Sequence, residues 1–167
     1  MSVAGATLDR MATWQDFEQE APDLALAVRA RFDAAKHHVL ATLRAGGAPR
    51  VSGTEVDFGG ADLTIGSMFG AVKARDLQRD PRFALHSNPG DSSMAEGDAK
   101  IAGRAVEITD VVELTAWESE LPEPPPPGPL HAFRLELEQV VLTSVEDGGL
   151  VIRSWHPGEP VSTVRRH

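Results

Sequence analysis

The stretch Gly66-Ser67-Met68-Phe69-Gly70-Ala71-Val72-Lys73-Ala74-Arg75-Asp76-Leu77-Gln78-Arg79-Asp80-Pro81 constrains this chain most. Leu63, Thr64 and Ile65 before it are strand-like. Gly66 and Gly70 supply backbone freedom for a turn. Residues 71–79 are good helix formers, with Ala74, Leu77 and Gln78 on one face. Pro81 disfavours helical backbone at Asp80 and stops the helix. The pattern therefore predicts a strand, a tight turn and a short helix. The first turn of such a helix has unpaired N–H groups and a partial positive charge. With the Ser67 hydroxyl nearby and Lys73 one turn in, it suits a phosphate. The same residues equally fit an ordinary strand–turn–helix with a solvated lysine.

The flanking sequence predicts a mainly antiparallel structure. Residues 1–12 read as a loose lead-in, followed by one domain over 13–167. Thr13 is a helix cap for Trp14 onward, and Pro22 suits the first position of a second helix reaching about Ala35. Leu24, Val28 and Phe32 give that helix one buried stripe. Strands are expected at 37–44, 49–58, 61–65, 82–87 and 98–109, with a polar loop at 88–97. Asp110 can cap a short helix to about Ser119. The run from Pro122 to Pro129 cannot join a central strand; it is a stiff connector or a ligand for a proline-recognition module. Phe133, Leu135 and Leu137 alternate with charged residues in a half-buried strand that continues to Leu142, and Leu150–Trp155 is the last strand. About seven strands in hairpin-linked runs, without βαβ alternation, predict an antiparallel barrel with peripheral helices.

Composition narrows the function. Net charge is −9 with no basic run, which argues against nucleic acid as partner. Cysteine is absent, removing disulfides, thiolate metal sites and cysteine nucleophiles. Tyrosine is absent too, and with it a common general acid. No apolar run reaches membrane-spanning length and no signal-peptide pattern opens the chain, so a soluble cytoplasmic protein is expected. The six histidines form no helical ligand pair, no G-x-S-x-G elbow occurs, and the dinucleotide and P-loop glycine motifs are missing. His37 and His38 must face opposite sides of a strand. Arg50, Ser52 and Thr54 share one strand face, while Gly53 signals either a barrel bend or close approach of a flat ligand. If the second and third strands pair, Arg50 comes near the Ser67–Lys73 turn, where the two cations and helix N–H groups could hold a phosphate.

On LATLR-AGGAPRVSG (40–53), IGSMFGAVKARDLQRDPRFAL (65–85) and VIRSWHPG (151–158), the chain resembles the pyridoxamine 5'-phosphate-oxidase-like split-barrel flavoproteins. More narrowly it is similar to the actinobacterial branch that binds flavin mononucleotide (FMN) or the deazaflavin F420. The resemblance implies a split β-barrel, a homodimer with cofactor at the subunit interface, and a small-molecule substrate. It implies cofactor contacts from Arg50, Val51, Ser52 and Gly53, from Gly66, Ser67, Lys73 and Arg75, and from Trp155, which also reads as a core tryptophan. Arg50 and Lys73 match the family's phosphate-binding arginine and lysine, and Ser67 its hydroxyl residue. Val72, Gly66 and Glu55 stand where the oxidase has arginine, tyrosine and lysine. These departures argue against pyridoxine-phosphate oxidation. They imply an F420-dependent reductase acting on a conjugated acceptor, an FMN oxidoreductase, or a non-catalytic carrier of such a cofactor or of haem. No side chain stands out as proton donor.

Overall fold

The computed structural model describes residues 10–167, so positions 1–9 of the expected lead-in lie outside the described residues. Helix α1 (Trp14–Glu20) begins at a complete capping box: the Asp16 N–H donates to the Thr13 hydroxyl, and the Thr13 N–H donates to the Asp16 carboxylate. Pro22 opens α2 (Pro22–Asp33), where its missing N–H leaves no bond unmade. The expected stripe of Leu24, Val28 and Phe32 is buried.

The strands are β1 (His38–Leu43), β2 (Pro49–Thr54), β3 (Leu63–Met68), β4 (Arg82–His86), β5 (Asp98–Glu107), β6 (Leu130–Glu146), β7 (Gly149–Trp155) and β8 (Ser162–Arg166). Helix α3 (Val72–Arg79) lies between β3 and β4, and α4 (Val111–Glu120) between β5 and β6. Every strand pairing is antiparallel, in the order β2-β1-β4-β5-β6-β7-β8, with β3 also on β6.

The 17-residue β6 organises the barrel. One edge carries β5 from Glu107↔Phe133 to Asp98↔Thr143. The other edge is divided: β3 pairs with Leu130–Leu135, and β7 with Val140–Glu146. Beyond β2, Asp57 and Thr64 exchange two backbone hydrogen bonds of 2.9 and 2.8 Å, bringing the chain after β2 against β3. The ring β2-β1-β4-β5-β6-β3 thus closes, while β7 and β8 leave it along the far half of β6. This is a split β-barrel.

Three expectations need correction. Strand β3 does not end at Ile65 but runs to Met68, because Gly66, Ser67 and Met68 pair with Ala132, His131 and Leu130 of β6. The turn falls at residues 69–71, where Gly70 has a φ of 72°, a region glycine enters without steric cost. Gln78 is exposed; Asp76 is the third buried residue of α3, beside Ala74 and Leu77. Finally, the described residues form eight strands rather than about seven. Strand β8 is exposed at every position, so it carries no hydrophobic alternation to betray it.

The main core joins α1 and α2 to the barrel interior through Trp14, Phe17, Phe32, Leu40, Ile65, Leu85, Ile101, Leu135 and Trp155. A smaller cluster of Ile108, Trp117 and Ala132 lies under α4. His38, the first residue of β1, is buried beside Phe32, whereas His37, just before the strand, is exposed. Burial pushes the His38 imidazole below its ordinary range, against hydrogen bonds that raise it. Among the described residues, no helix is long and apolar enough to cross a membrane.

Candidate functional site

Strand β2, the β3–α3 turn and α3 meet at one end of the barrel. The N-cap of α3 is Ala71, which has no side chain able to cap the helix, and no acidic residue lies in the first turn. Its leading N–H groups therefore meet no side-chain acceptor from its own cap, and they carry the positive end of the helix dipole. Lys73, in that turn, reaches β2: its Nζ donates to the Gly53 carbonyl at 2.8 Å. Burial pushes the Lys73 ammonium below its ordinary range, and the nearby Glu55 carboxylate partly offsets this. Lys73 and Gly53 are thus brought together across 20 residues of chain.

Arg50 approaches the same helix but meets an acid. Its Nε donates to Asp76 Oδ2 at 2.6 Å. Thr42 Oγ1 donates to the same oxygen at 2.9 Å, and Arg79 Nη2 donates to Oδ1 at 2.9 Å. Arg79 also donates to the Leu43 carbonyl, tying the end of α3 to β1. Asp76 is only 2% exposed. Burial pushes its carboxyl up, but the bonds from Arg79, Arg50 and Thr42 outweigh this and hold it at about 2. The carboxylate thus clamps α3 to β1 and β2. It also commits Arg50, through Nε, to a protein partner. Sequence reasoning missed Asp76; its only signal was an acid near two arginines.

Other expected residues lie on β2, β3 and α3. Ser52 shares the inner face of β2 with Arg50 and Thr54, while Val51 and Gly53 face outward. Val51 is 71% exposed, and a Cβ on Gly53 would meet nothing within 4 Å. Gly53 is thus neither crowded nor at a bend in the β1–β2 ladder; it leaves an open strip of backbone. Ser67 is buried, and its Oγ has no hydrogen-bond partner among the described residues. An orphaned buried hydroxyl costs about 1–3 kcal/mol unless something meets it. Arg75 is exposed near Gly70 and has no carboxylate partner among the described residues.

Gly66 and Trp155 stand apart. Gly66 lies beneath Trp117 of α4, whose Cη2 would be 3.2 Å from a Cβ there. The Trp117 indole N–H donates to Thr64 Oγ1 at 2.9 Å, which locks the ring over Gly66. A side chain at position 66 would press on the edge of that ring, although Gly66 itself is exposed. Trp155 is 0% exposed and packs on Phe17 at 4.7 Å. It is a core residue, which corrects the cofactor-side role expected for it.

The exposed, positive helix start, Lys73, the orphaned Ser67 hydroxyl and the open side of Gly53 fit a phosphate with an adjoining flat group. Comparison with known proteins agrees with this architecture. The pyridoxamine 5'-phosphate oxidase family model matches residues 24–144. No curated protein matches the chain significantly. Among solved structures, a pyridoxamine 5'-phosphate oxidase-related, FMN-binding protein from Nostoc punctiforme is 16% identical, with a TM-score of 0.63 over 88% of this chain and 96% of that one. PhzG from Burkholderia lata, solved with tetrahydrophenazine-1-carboxylic acid, is also 16% identical, with a TM-score of 0.61 over 99% and 98%. HutZ, the heme storage protein of Vibrio cholerae, is 19% identical, with a TM-score of 0.53 over 74% and 94%. At these identities the likeness shows the fold alone. With the family match spanning well over half the chain, this split barrel belongs to the pyridoxamine 5'-phosphate oxidase family.

Proposed function

We propose that this chain is a flavin-type oxidoreductase that binds F420 and serves hydride transfer to a small conjugated acceptor. The observation that carries the reading is the uncapped first turn of α3 with Lys73 inside it. Lys73, the leading N–H groups of α3 and the Ser67 hydroxyl bind the phosphate, by charge and by donated hydrogen bonds. The open backbone at Val51 and Gly53 orients the flat ring. When bound, the cofactor supplies the hydride chemistry.

Charge favours F420 over FMN. Arg50 is engaged by Asp76, and Val72 replaces the oxidase's arginine, so Lys73 is the one cation in the first turn of α3. A single ammonium balances the singly charged phosphodiester of F420 better than the near-dianionic phosphate of FMN. Arg75 remains to meet the longer anionic tail. The second reading is FMN on the same scaffold, supported by the FMN-binding neighbour from Nostoc. Exposed Val51, Met68, Phe69 and Val72 around the site support a homodimer with the cofactor at the subunit interface.

Fluorescence titration of the purified protein with F420 and with FMN tests this. F420 should bind tightly and FMN weakly. Lys73→Ala should weaken F420 binding by about tenfold or more, the scale of a charged hydrogen bond. Binding of neither cofactor would overturn the proposal; FMN binding alone would transfer it to the second reading. Sedimentation as a monomer at micromolar concentration would remove the dimer.

A further inference from the structure

The turn between β3 and α3 is held from outside by one side chain. The Gly70 N–H donates to His131 Nε2 at 3.1 Å. Nε2 therefore carries no proton, and the ring's proton sits on Nδ1, 2.7 Å from Glu107 Oε1 on β5. Glu107 is itself held by Gln78 of α3, whose Nε2 lies 3.0 Å from both carboxylate oxygens. Phe69 stacks flat on the imidazole at 5.3 Å and 8°, and Phe133 lies on another side at 6.4 Å. Among the described residues, Glu107 is the one charged group bonded to the ring; Gln78, Phe69 and Phe133 are neutral.

This arrangement fixes one tautomer. A backbone N–H can bond only to an imidazole nitrogen with a free lone pair, and the Glu107 carboxylate demands a proton on the opposite nitrogen. Gly70 adopts a positive φ two residues before α3 begins, so its orientation sets the direction of the leading N–H groups. We propose that His131 is a positioning residue: its Nε2 holds the Gly70 turn and thereby aims the first turn of α3 at the ligand's phosphate. The binding part of this inference rests on the phosphate reading above.

Nitrogen NMR of the imidazole, amide exchange at Gly70, and titrations with FMN and with riboflavin, which lacks the phosphate, test this in the full chain. His131→Leu removes the acceptor; His131→Gln restores one through its side-chain oxygen. At mildly alkaline pH, Nε2 should be the unprotonated nitrogen. Gly70 exchange should rise about tenfold in His131→Leu, the factor one ordinary hydrogen bond supplies, and fall back in His131→Gln. FMN affinity should follow the same order while riboflavin affinity stays level. A protonated Nε2 in the neutral ring, or equal Gly70 exchange in all three proteins, would overturn the proposal. If Lys73→Ala leaves FMN affinity unchanged, the phosphate reading fails and the Gly70 measurement still decides the turn. If Lys73→Ala weakens FMN binding and His131→Leu does not, the positioning role is refuted.

Discussion

Replacing Asp76 by Asn is the sharpest test of how the site is assembled. The carboxylate receives Arg50 at 2.6 Å and Thr42 and Arg79 at 2.9 Å, and it is almost wholly buried. An amide keeps one acceptor oxygen but turns an NH2 toward a guanidinium, and it leaves two arginines without their counter-charge. Removing one partner of a buried ion pair costs about 3–5 kcal/mol, and the retained acceptor places this variant near the lower figure. For a chain of this length that is a fall in Tm of roughly 6–12 °C, read by circular dichroism. The loss must also depend on pH. Asp76 sits at about 2 in the folded chain, below its ordinary value of 3.8. A depressed carboxyl contributes its stability fully above the unfolded value and loses it as pH falls through the folded one. The gap between wild type and Asp76→Asn should therefore be full near neutrality and narrow below about pH 4. A Tm change under about 2 °C at neutral pH would refute the clamp, and so would a gap that persists unchanged in acid.

Substitutions at two further positions separate packing from ligand binding. A Cβ on Gly103 would lie 1.9 Å from the Glu136 carbonyl oxygen, at the bulge where the β5–β6 register shifts. Gly103→Ala should therefore cost about 1–3 kcal/mol or more in urea denaturation, and an unchanged midpoint would mean that the bulge relaxes freely. Trp155→Ala should cost about 3–5 kcal/mol from the core, while Trp155→Phe keeps most of the ring and removes an indole N–H that has no partner among the described residues. A folded Trp155→Phe should bind F420 or FMN as the wild type does; altered affinity would bring Trp155 back to the ligand.

Much of this protein is legible in its sequence because local rules act over short distances. Thr13 and Asp16 form a capping box, Pro22 starts a helix, and Pro81 follows the end of α3, each through backbone chemistry within a few residues. Alternating Phe133, Leu135 and Leu137 marked β6, and hairpin-linked strands marked an antiparallel barrel. Lys73 in the first turn of a helix stopped by Pro81 marked the candidate site, and the motifs around it marked the family.

What remained depended on partners far apart in the chain. That Arg50 faces Asp76 follows from β2 lying against α3, 26 residues away. That a side chain at Gly66 would meet Trp117 follows from a helix that comes after two further strands. That Trp155 belongs to the core follows from α1 folding Phe17 onto it. His131 meets Gly70 because β3 pairs with the start of β6. Sequence by itself determined the elements, the class of barrel and the segment most suited to an anion. Only the tertiary structure decided which of the expected side chains face that segment and which are held by a charge or ring from a distant strand, because such partners are chosen by strand register and helix docking rather than by spacing along the chain.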